Sequence, residues 1–378
     1  MDMRIRPFLV ERWLSTYEND VPVNLGESGV KPLALGELLA LAEERGDTGV
    51  QERLSQVVLT YDETRGTREL REAIASHYRG STPENVLVTH GAIEANYLVF
   101  NALVRPGDTV ITMFPAYQQL YSVAEALGAR LKRWELQEDR GYVPDLAELD
   151  ALLDENTRLI VINSPHNPTG AVLSEGDLRA ILSRAEAVGA RVLSDESYQG
   201  IALDEQPLAP PAWELDQRAI SVSTLSKSVG LPGLRIGWIV ADEATVQSCW
   251  SYRDYTSISP GRLSDFLAVV ALRHREALLE RACRLARRNF SIVKDFMESH
   301  PADFQFIPPR AGVLAFPRLH REEDSAEFCR GLIREQGVLL VPGSAFEKEG
   351  CFRMGYGDNT ANLQEGLRRL HAYVESRR

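Results

Sequence analysis

Between about residues 85 and 241 the chain alternates short apolar runs with amphipathic stretches. Segments 85–89, 109–113, 158–163, 191–194, 219–223 and 235–240 are rich in Val, Ile and Leu and predict strands. Segments 92–104, 117–127 and 174–188 carry helical spacing, and Pro106, Gly107 and Asp108 mark a turn. Continuous β-branched runs separated by helices predict a mostly parallel sheet covered on both faces. Ligands of such sheets sit outside the carboxyl ends of the strands. Beyond about residue 243 the pattern changes to long helices, above all 262–299. The remainder mixes short strands (338–341, 352–354) with helices and ends in a helix over 361–376. The expected organisation is an N-terminal segment (1–40) packing with the small domain, a large domain (41–270) and a small C-terminal α+β domain (271–378).

Composition narrows the function classes. The chain has 378 residues, 44% hydrophobic and 25% charged, and a net charge of −12. Such an acidic chain is poorly suited to neutralise nucleic-acid phosphates. Cys249, Cys283, Cys329 and Cys351 show neither CxxC nor Cys/His clustering, so neither a metal site nor a disulfide frame is expected. No run reaches membrane length and the first residues lack an apolar signal core, so the expected location is cytoplasmic. Of the 42 basic residues only five are lysine: Lys31, Lys132, Lys227, Lys294 and Lys348. Chemistry that needs a lysine amine therefore has few candidates.

The segment STLSKSVGLPGLRIGW at 223–238 places Lys227 just after a predicted strand and before a Gly/Pro loop. Thr224, Ser226 and Ser228 flank it, and Arg235 follows. Hydroxyls with an arginine at a strand end suit a dianionic phosphate. A lysine beside that phosphate can form a Schiff base with an aldehyde cofactor; the ordinary alternative is a surface lysine in a polar loop. Asp195, at the end of another strand, is costly to bury unless paired. A protonated pyridine nitrogen would pair with it, and Tyr198 could hydrogen-bond a ring phenolate; a helix N-cap is the alternative. Asn167, in the turn segment SPHNPTG at 164–170, is a candidate for the ring oxygen. His90, Gly91, Ala92, Ile93 and Glu94 lead from a strand into a helix, whose first N–H groups can hold phosphate. Tyr117 follows a strand and could stack on a flat ring.

In order and spacing these five segments resemble the fold type I pyridoxal-phosphate (PLP) enzymes, specifically the class I/II aminotransferase family, from about residue 20 onward. The resemblance implies a large domain with a mostly parallel sheet plus a smaller α+β domain, and pyridoxal 5'-phosphate as cofactor. It implies Lys227 as the Schiff-base lysine, Asp195 on the pyridine nitrogen, Asn167 and Tyr198 on the ring oxygen, and Tyr117 over the ring. Phosphate would be held by Thr224, Ser226 and Arg235 and by backbone at Gly91, Ala92 and Ile93. Arg353, in the segment FRM at 352–354, matches the family's clamp for a substrate α-carboxylate, with Asn167 nearby. Tyr61, in YDETRG at 61–66, matches a tyrosine that reaches the phosphate of the neighbouring subunit in a homodimer. Ala92 and Ile93 stand where the family often has a hydroxyl residue.

Segments around Gly26 and Glu27 (NLGESGV, 24–30) and around Tyr117 (PAYQQL, 115–120) look like a specialised-metabolism branch of the family. That branch includes capreomycidine synthases, which cyclise a hydroxylated arginine. The implied activity is removal of the Cα proton of an L-amino acid, with transamination as the default and elimination, replacement or cyclisation as the alternative. Glu27 and Glu94 are expected to border the pocket, where acids would favour a cationic side chain; the alternative is that both are solvated. His90 and His166 flank the expected site and read as structural histidines, with an acid/base role held in reserve.

Overall fold

The computed structural model describes residues 5–320 and 324–377. Its centre is a seven-stranded sheet: β1 (Val86–Thr89), β2 (Thr109–Phe114), β3 (Arg130–Glu135), β4 (Thr157–Asn163), β5 (Arg191–Asp195), β6 (Ile220–Thr224) and β7 (Gly237–Val240). The spatial order is β1-β7-β6-β5-β4-β2-β3. Only β7 runs antiparallel to its neighbours. Side chains alternate between the two faces of a strand, and both faces are dry. Val110, Leu159, Val161, Leu193 and Val222 pack with the helix Ala92–Leu103 on one face. Ile111, Met113, Ile160, Ile162 and Val192 pack with the helix Glu175–Ala187 on the other. This double burial is why the strands read as unbroken apolar runs.

Two elements differ from the sequence expectation. Strand β3 escaped the pattern because it is the sheet edge and carries Arg130, Lys132, Arg133 and Glu135; five of its six residues face solvent at least in part, and only Trp134 is buried. Charges on an edge strand discourage pairing with another chain. The long helix expected over 262–299 is two helices, Arg262–Arg273 and Arg275–Ser299, meeting at His274, whose ψ of 21° leaves the helical range. No Gly or Pro marks that break.

A second layer surrounds the C-terminal helices. Phe352–Gly355 pairs antiparallel with Leu314–Ala315 and with Val341–Pro342. The N-terminal residues Val23–Asn24 pair in parallel with Val338–Leu339. Val23, Leu25 and Val30 thereby join the apolar cluster of Phe328, Leu332, Leu340, Phe352 and Leu367. The first helix, Leu9–Tyr17, packs on residues 340–346 of the same layer, Trp13 Nε1 donating to the Leu340 carbonyl at 2.8 Å, with Val10 buried among Met113, Val341 and Phe346. Among the described residues no helix is long and apolar enough to cross a membrane.

Candidate active site

The carboxyl ends of β4, β5 and β6 open into a cavity of about 730 Å³, which the first helix, Leu9–Tyr17, and the segment of Glu27 and Ser28 also line. Asn163, Asn167, Asp195, Tyr198, Thr224, Ser226 and Lys227 all line it, as do Gly91, Ala92, Ile93, Tyr117, Arg235, Arg353 and Glu27. Each cluster singled out in the sequence follows a different strand. The parallel sheet brings those strand ends to one edge, so segments far apart in the chain meet there.

Lys227 Nζ donates to Ser28 Oγ at 2.7 Å. Burial, followed by the positive charge of Arg353, holds the amine below the ordinary lysine range. Asp195 is 6% exposed. Its Oδ1 accepts the Ser197 N–H at 3.0 Å and its Oδ2 accepts Asn96 Nδ2 at 2.8 Å. Two donors orient the carboxylate without neutralising it. Tyr198 is buried, and burial is the main cause that pushes its phenol up to about 12.

Arg353 is 1% exposed. Nη2 donates to the Gly26 carbonyl at 2.8 Å and Nη1 to Asn167 Oδ1 at 3.1 Å, while Nε has no partner. A buried guanidinium with a free donor in a cavity is poised for an anion. Gly26 thus meets Arg353 through its carbonyl and does not itself line the cavity, whereas Glu27 does.

At the other end Thr224 Oγ1 lies 3.0 Å from Ser226 Oγ and 2.8 Å from the Ile236 carbonyl, and Arg235 Nη1 lies 3.5 Å from Ser226 Oγ. The N-terminus of Ala92–Leu103 borders the cavity beside this group, the His90 carbonyl lying 3.5 Å from Arg235 Nη2. Gly91 has φ 80°, and a Cβ there would come within 2.9 Å of Arg235 Nη2. Glycine therefore lets the helix start and the guanidinium converge on one anion-sized space.

Other expected residues lie elsewhere. Tyr61 is 82% exposed and does not line the cavity of its own chain. Glu94 does not border the pocket, which corrects that expectation. It turns back to accept the His90 backbone N–H at 2.7 Å and the hydroxyls of Thr256 and Ser257 at 2.9 and 2.6 Å. A glutamate at the third helical position caps the preceding N–H groups better than it serves solvent. His166 is buried, hydrogen-bonded to Thr169 at 2.8 Å, and pushed down to about 3 by burial, so it stays neutral. His90 pairs with Glu94 and is not among the lining residues.

Sequence reasoning missed Ser28, Asn96, Gln119, Glu11 and Glu18, all of which line the cavity. Asn96 Oδ1 and Gln119 Oε1 are buried without partners. Tyr117 donates its hydroxyl to Glu11 at 2.7 Å. Only the four-residue step from Ala92 to Asn96, one helical turn, was a signal available beforehand.

Comparison with known proteins agrees with this geometry. The family described as aminotransferase class I and II matches residues 31–370. The capreomycidine synthase of Streptomyces vinaceus is 37% identical over 358 residues, covering 95% of this chain and 91% of that one. The crystal structure of a PLP-dependent aminotransferase from Streptococcus suis 89-1591 superposes with a TM-score of 0.94 at 35% identity, covering 99% of both chains. That of the PLP-dependent cyclase OrfR superposes with a TM-score of 0.91 at 30% identity, covering 100% of this chain and 99% of that one. With its parallel sheet, strand-end cavity and strand-end lysine, the chain belongs to the aminotransferase class I and II family, and so to the fold type I pyridoxal-phosphate enzymes.

Proposed function

We propose that this enzyme uses pyridoxal 5'-phosphate to remove the Cα proton of an L-amino acid, with transamination as the default outcome. The observation that carries the reading is one cavity holding the Lys227 amine, the Asp195 carboxylate and the Arg353 guanidinium together. The residues fit the cofactor. Asp195 has an orienting amide and no cation partner within the cavity. Thr224, Ser226, Arg235 and the Gly91–Ile93 backbone suit a phosphate that Ala92 and Ile93 themselves lack the side chains to hold. Bound there, the cofactor supplies a carbonyl that condenses with amines and a ring that accepts the electrons of a broken Cα–H bond.

The protein's own groups do the rest. Asp195 would keep a proton on the cofactor's ring nitrogen by charge, Asn167 and Tyr198 are placed to hold its ring oxygen, and Tyr117 would pack against the ring. Arg353 holds the α-carboxylate and so aims the Cα–H bond, with Asn167 bracing the guanidinium at 3.1 Å. Lys227 Nζ, whose amine burial holds below the ordinary lysine range, would take the Cα proton once released from the cofactor.

A second reading, elimination or cyclisation of an arginine-derived amino acid in specialised metabolism, is favoured by a specific observation. Glu11, Glu18 and Glu27 line the outer cavity against a single basic neighbour, Arg12, once Lys227, Arg235 and Arg353 have their assigned tasks. Burial and then the charges of Glu27 and Glu11 push Glu18 up, so the carboxylates feel each other. Among the described residues no cation pairs with Glu18 or Glu27. Acids left without a cation partner favour a substrate with a cationic side chain such as a guanidinium. A half-reaction screen separates the readings. With transamination, aspartate or glutamate converts the cofactor spectrum to its amine form and 2-oxo acids restore it. With the second reading those acids leave the spectrum unchanged, while arginine derivatives change it and yield a cyclised or eliminated product.

The same reading includes a cytoplasmic homodimer, supported by four free cysteines and by exposed apolar residues around Tyr61, namely Val58 and Leu59. In it Tyr61 reaches the partner's phosphate, and the N-terminal segment (1–40) packs with the small domain (271–378) beside the large one (41–270). Mixing Tyr61→Phe with Lys227→Ala chains tests for shared sites: activity is expected to depend on chain pairing. Full activity from a strictly monomeric species contradicts the dimer.

A further inference from the structure

Glu94 has no place in the chemistry above, yet its carboxylate is the most connected acid near the cavity. Oε2 accepts the backbone N–H of His90 at 2.7 Å and lies 3.3 Å from His90 Nδ1. Oε1 accepts the hydroxyls of Thr256 and Ser257 at 2.9 and 2.6 Å. Those bonds hold its carboxyl down at about 2 despite the burial that opposes ionisation. Ser257 Oγ in turn accepts Arg253 Nε at 3.2 Å, and Arg253, fully buried, donates to the Thr64 carbonyl.

On the cavity side the turn that Glu94 fastens is the anion cradle. The His90 carbonyl lies 3.5 Å from Arg235 Nη2, and Gly91 packs against the same guanidinium. Arg235 itself has φ 52°, an uncommon left-handed conformation for a residue with a side chain, so its position relies on its surroundings. Thr256, Ser257 and Arg253 are not among the cavity-lining residues.

From this we infer that Glu94 is a positioning residue for cofactor phosphate, and that Thr256, Ser257 and Arg253, outside the cavity, set phosphate affinity through it. The inference rests on the proposed cofactor site but goes beyond it, because it assigns phosphate affinity to residues that touch no ligand. The carboxylate locks the 89–91 turn against Arg235; the two hydroxyls lock the carboxylate. Without them the helix N-terminus and the guanidinium need not converge before phosphate arrives, and the ordering cost falls on binding.

The experiment compares pyridoxal 5'-phosphate with pyridoxal, which shares the ring and aldehyde but lacks the phosphate. Dissociation constants are measured by fluorescence titration for wild type, Glu94→Ala, Glu94→Gln and the Thr256→Val/Ser257→Ala double variant. The expected result for Glu94→Ala and the double variant is a loss of roughly tenfold in affinity for the phosphorylated compound, comparable to one charge-assisted hydrogen bond. Affinity for pyridoxal is expected to stay at the wild-type value, and Glu94→Gln, which keeps an acceptor for the His90 N–H, to recover part of the loss. Equal losses for both compounds would mean general damage and overturn the assignment, as would wild-type affinity of the double variant. Failure of the wild-type protein to take up pyridoxal 5'-phosphate sinks the proposed cofactor site, and this inference with it.

Discussion

Lys227→Ala is expected to leave no cofactor trapped on the chain by borohydride and no measurable turnover. Covalent attachment needs an amine inside the cavity, and among the described residues Lys227 is the only lysine lining it. Lys132 pairs with Asp154, Lys294 with Glu298 and Lys348 with Glu138, while Lys31 does not line the cavity, so each of these amines lies elsewhere. The same substitution removes the base. A methyl group cannot accept the Cα proton, and Ser28 Oγ, left without the amine, is far too weak a base to replace it. General base catalysis typically contributes about 10²–10⁴-fold, and loss of the covalent step adds to that. Mass spectrometry of the reduced protein checks the assignment: label at another lysine would show that the site is misassigned. Non-covalent cofactor binding is expected to persist, because the phosphate and ring contacts are untouched.

Arg353→Ala is expected to raise the apparent Kd for amino acids sharply while amines without a carboxylate, already poor substrates, change little. The wild-type guanidinium is 1% exposed, braced by Gly26 and Asn167, with Nε free. Removing it strands the substrate carboxylate in a partly dry cavity, which costs roughly 2–5 kcal/mol. The clamp also orients Cα–H, so kcat should fall as well as affinity. Fold stability is expected to suffer little beyond the lost packing, since the remaining partners are a backbone carbonyl and an amide that water can reach once the cavity enlarges. Steady-state kinetics with an α-amino acid and with its decarboxylated amine make the comparison. An equal loss on both substrates would show that Arg353 supports the fold and not the carboxylate.

Much of this protein was legible in its residue pattern. The runs at 109–113 and 158–163 announce buried parallel strands because strands covered on both faces can tolerate few polar side chains. The helical spacing over 174–188 announces the helix Glu175–Ala187, whose start Ser174 and Asp177 cap reciprocally in the structure. Lys227 stood out because a strand end, hydroxyls and an arginine lie within one short segment, where local spacing alone carries the information. The same locality explains the legibility of Asp195 and Asn167.

Other features could not be read from local spacing. Strand β3 is held as an edge by its pairing with β2, a contact that its own charged residues do not reveal. Glu94 looked like a pocket acid until the helix turned its carboxylate back onto His90 and the 256–257 hydroxyls, more than 160 positions away. Glu11, Glu18 and Ser28 reach the cavity only because residues 23–24 pair with 338–339 and fold the N-terminal segment over the strand ends. The sequence by itself determined the strands, the helices and the chemistry that follows each strand, because those depend on hydrophobic periodicity and neighbours along the chain. Only the tertiary structure decided which acids face the substrate and which are spent on capping, because that depends on long-range packing that brings distant segments within hydrogen-bond reach.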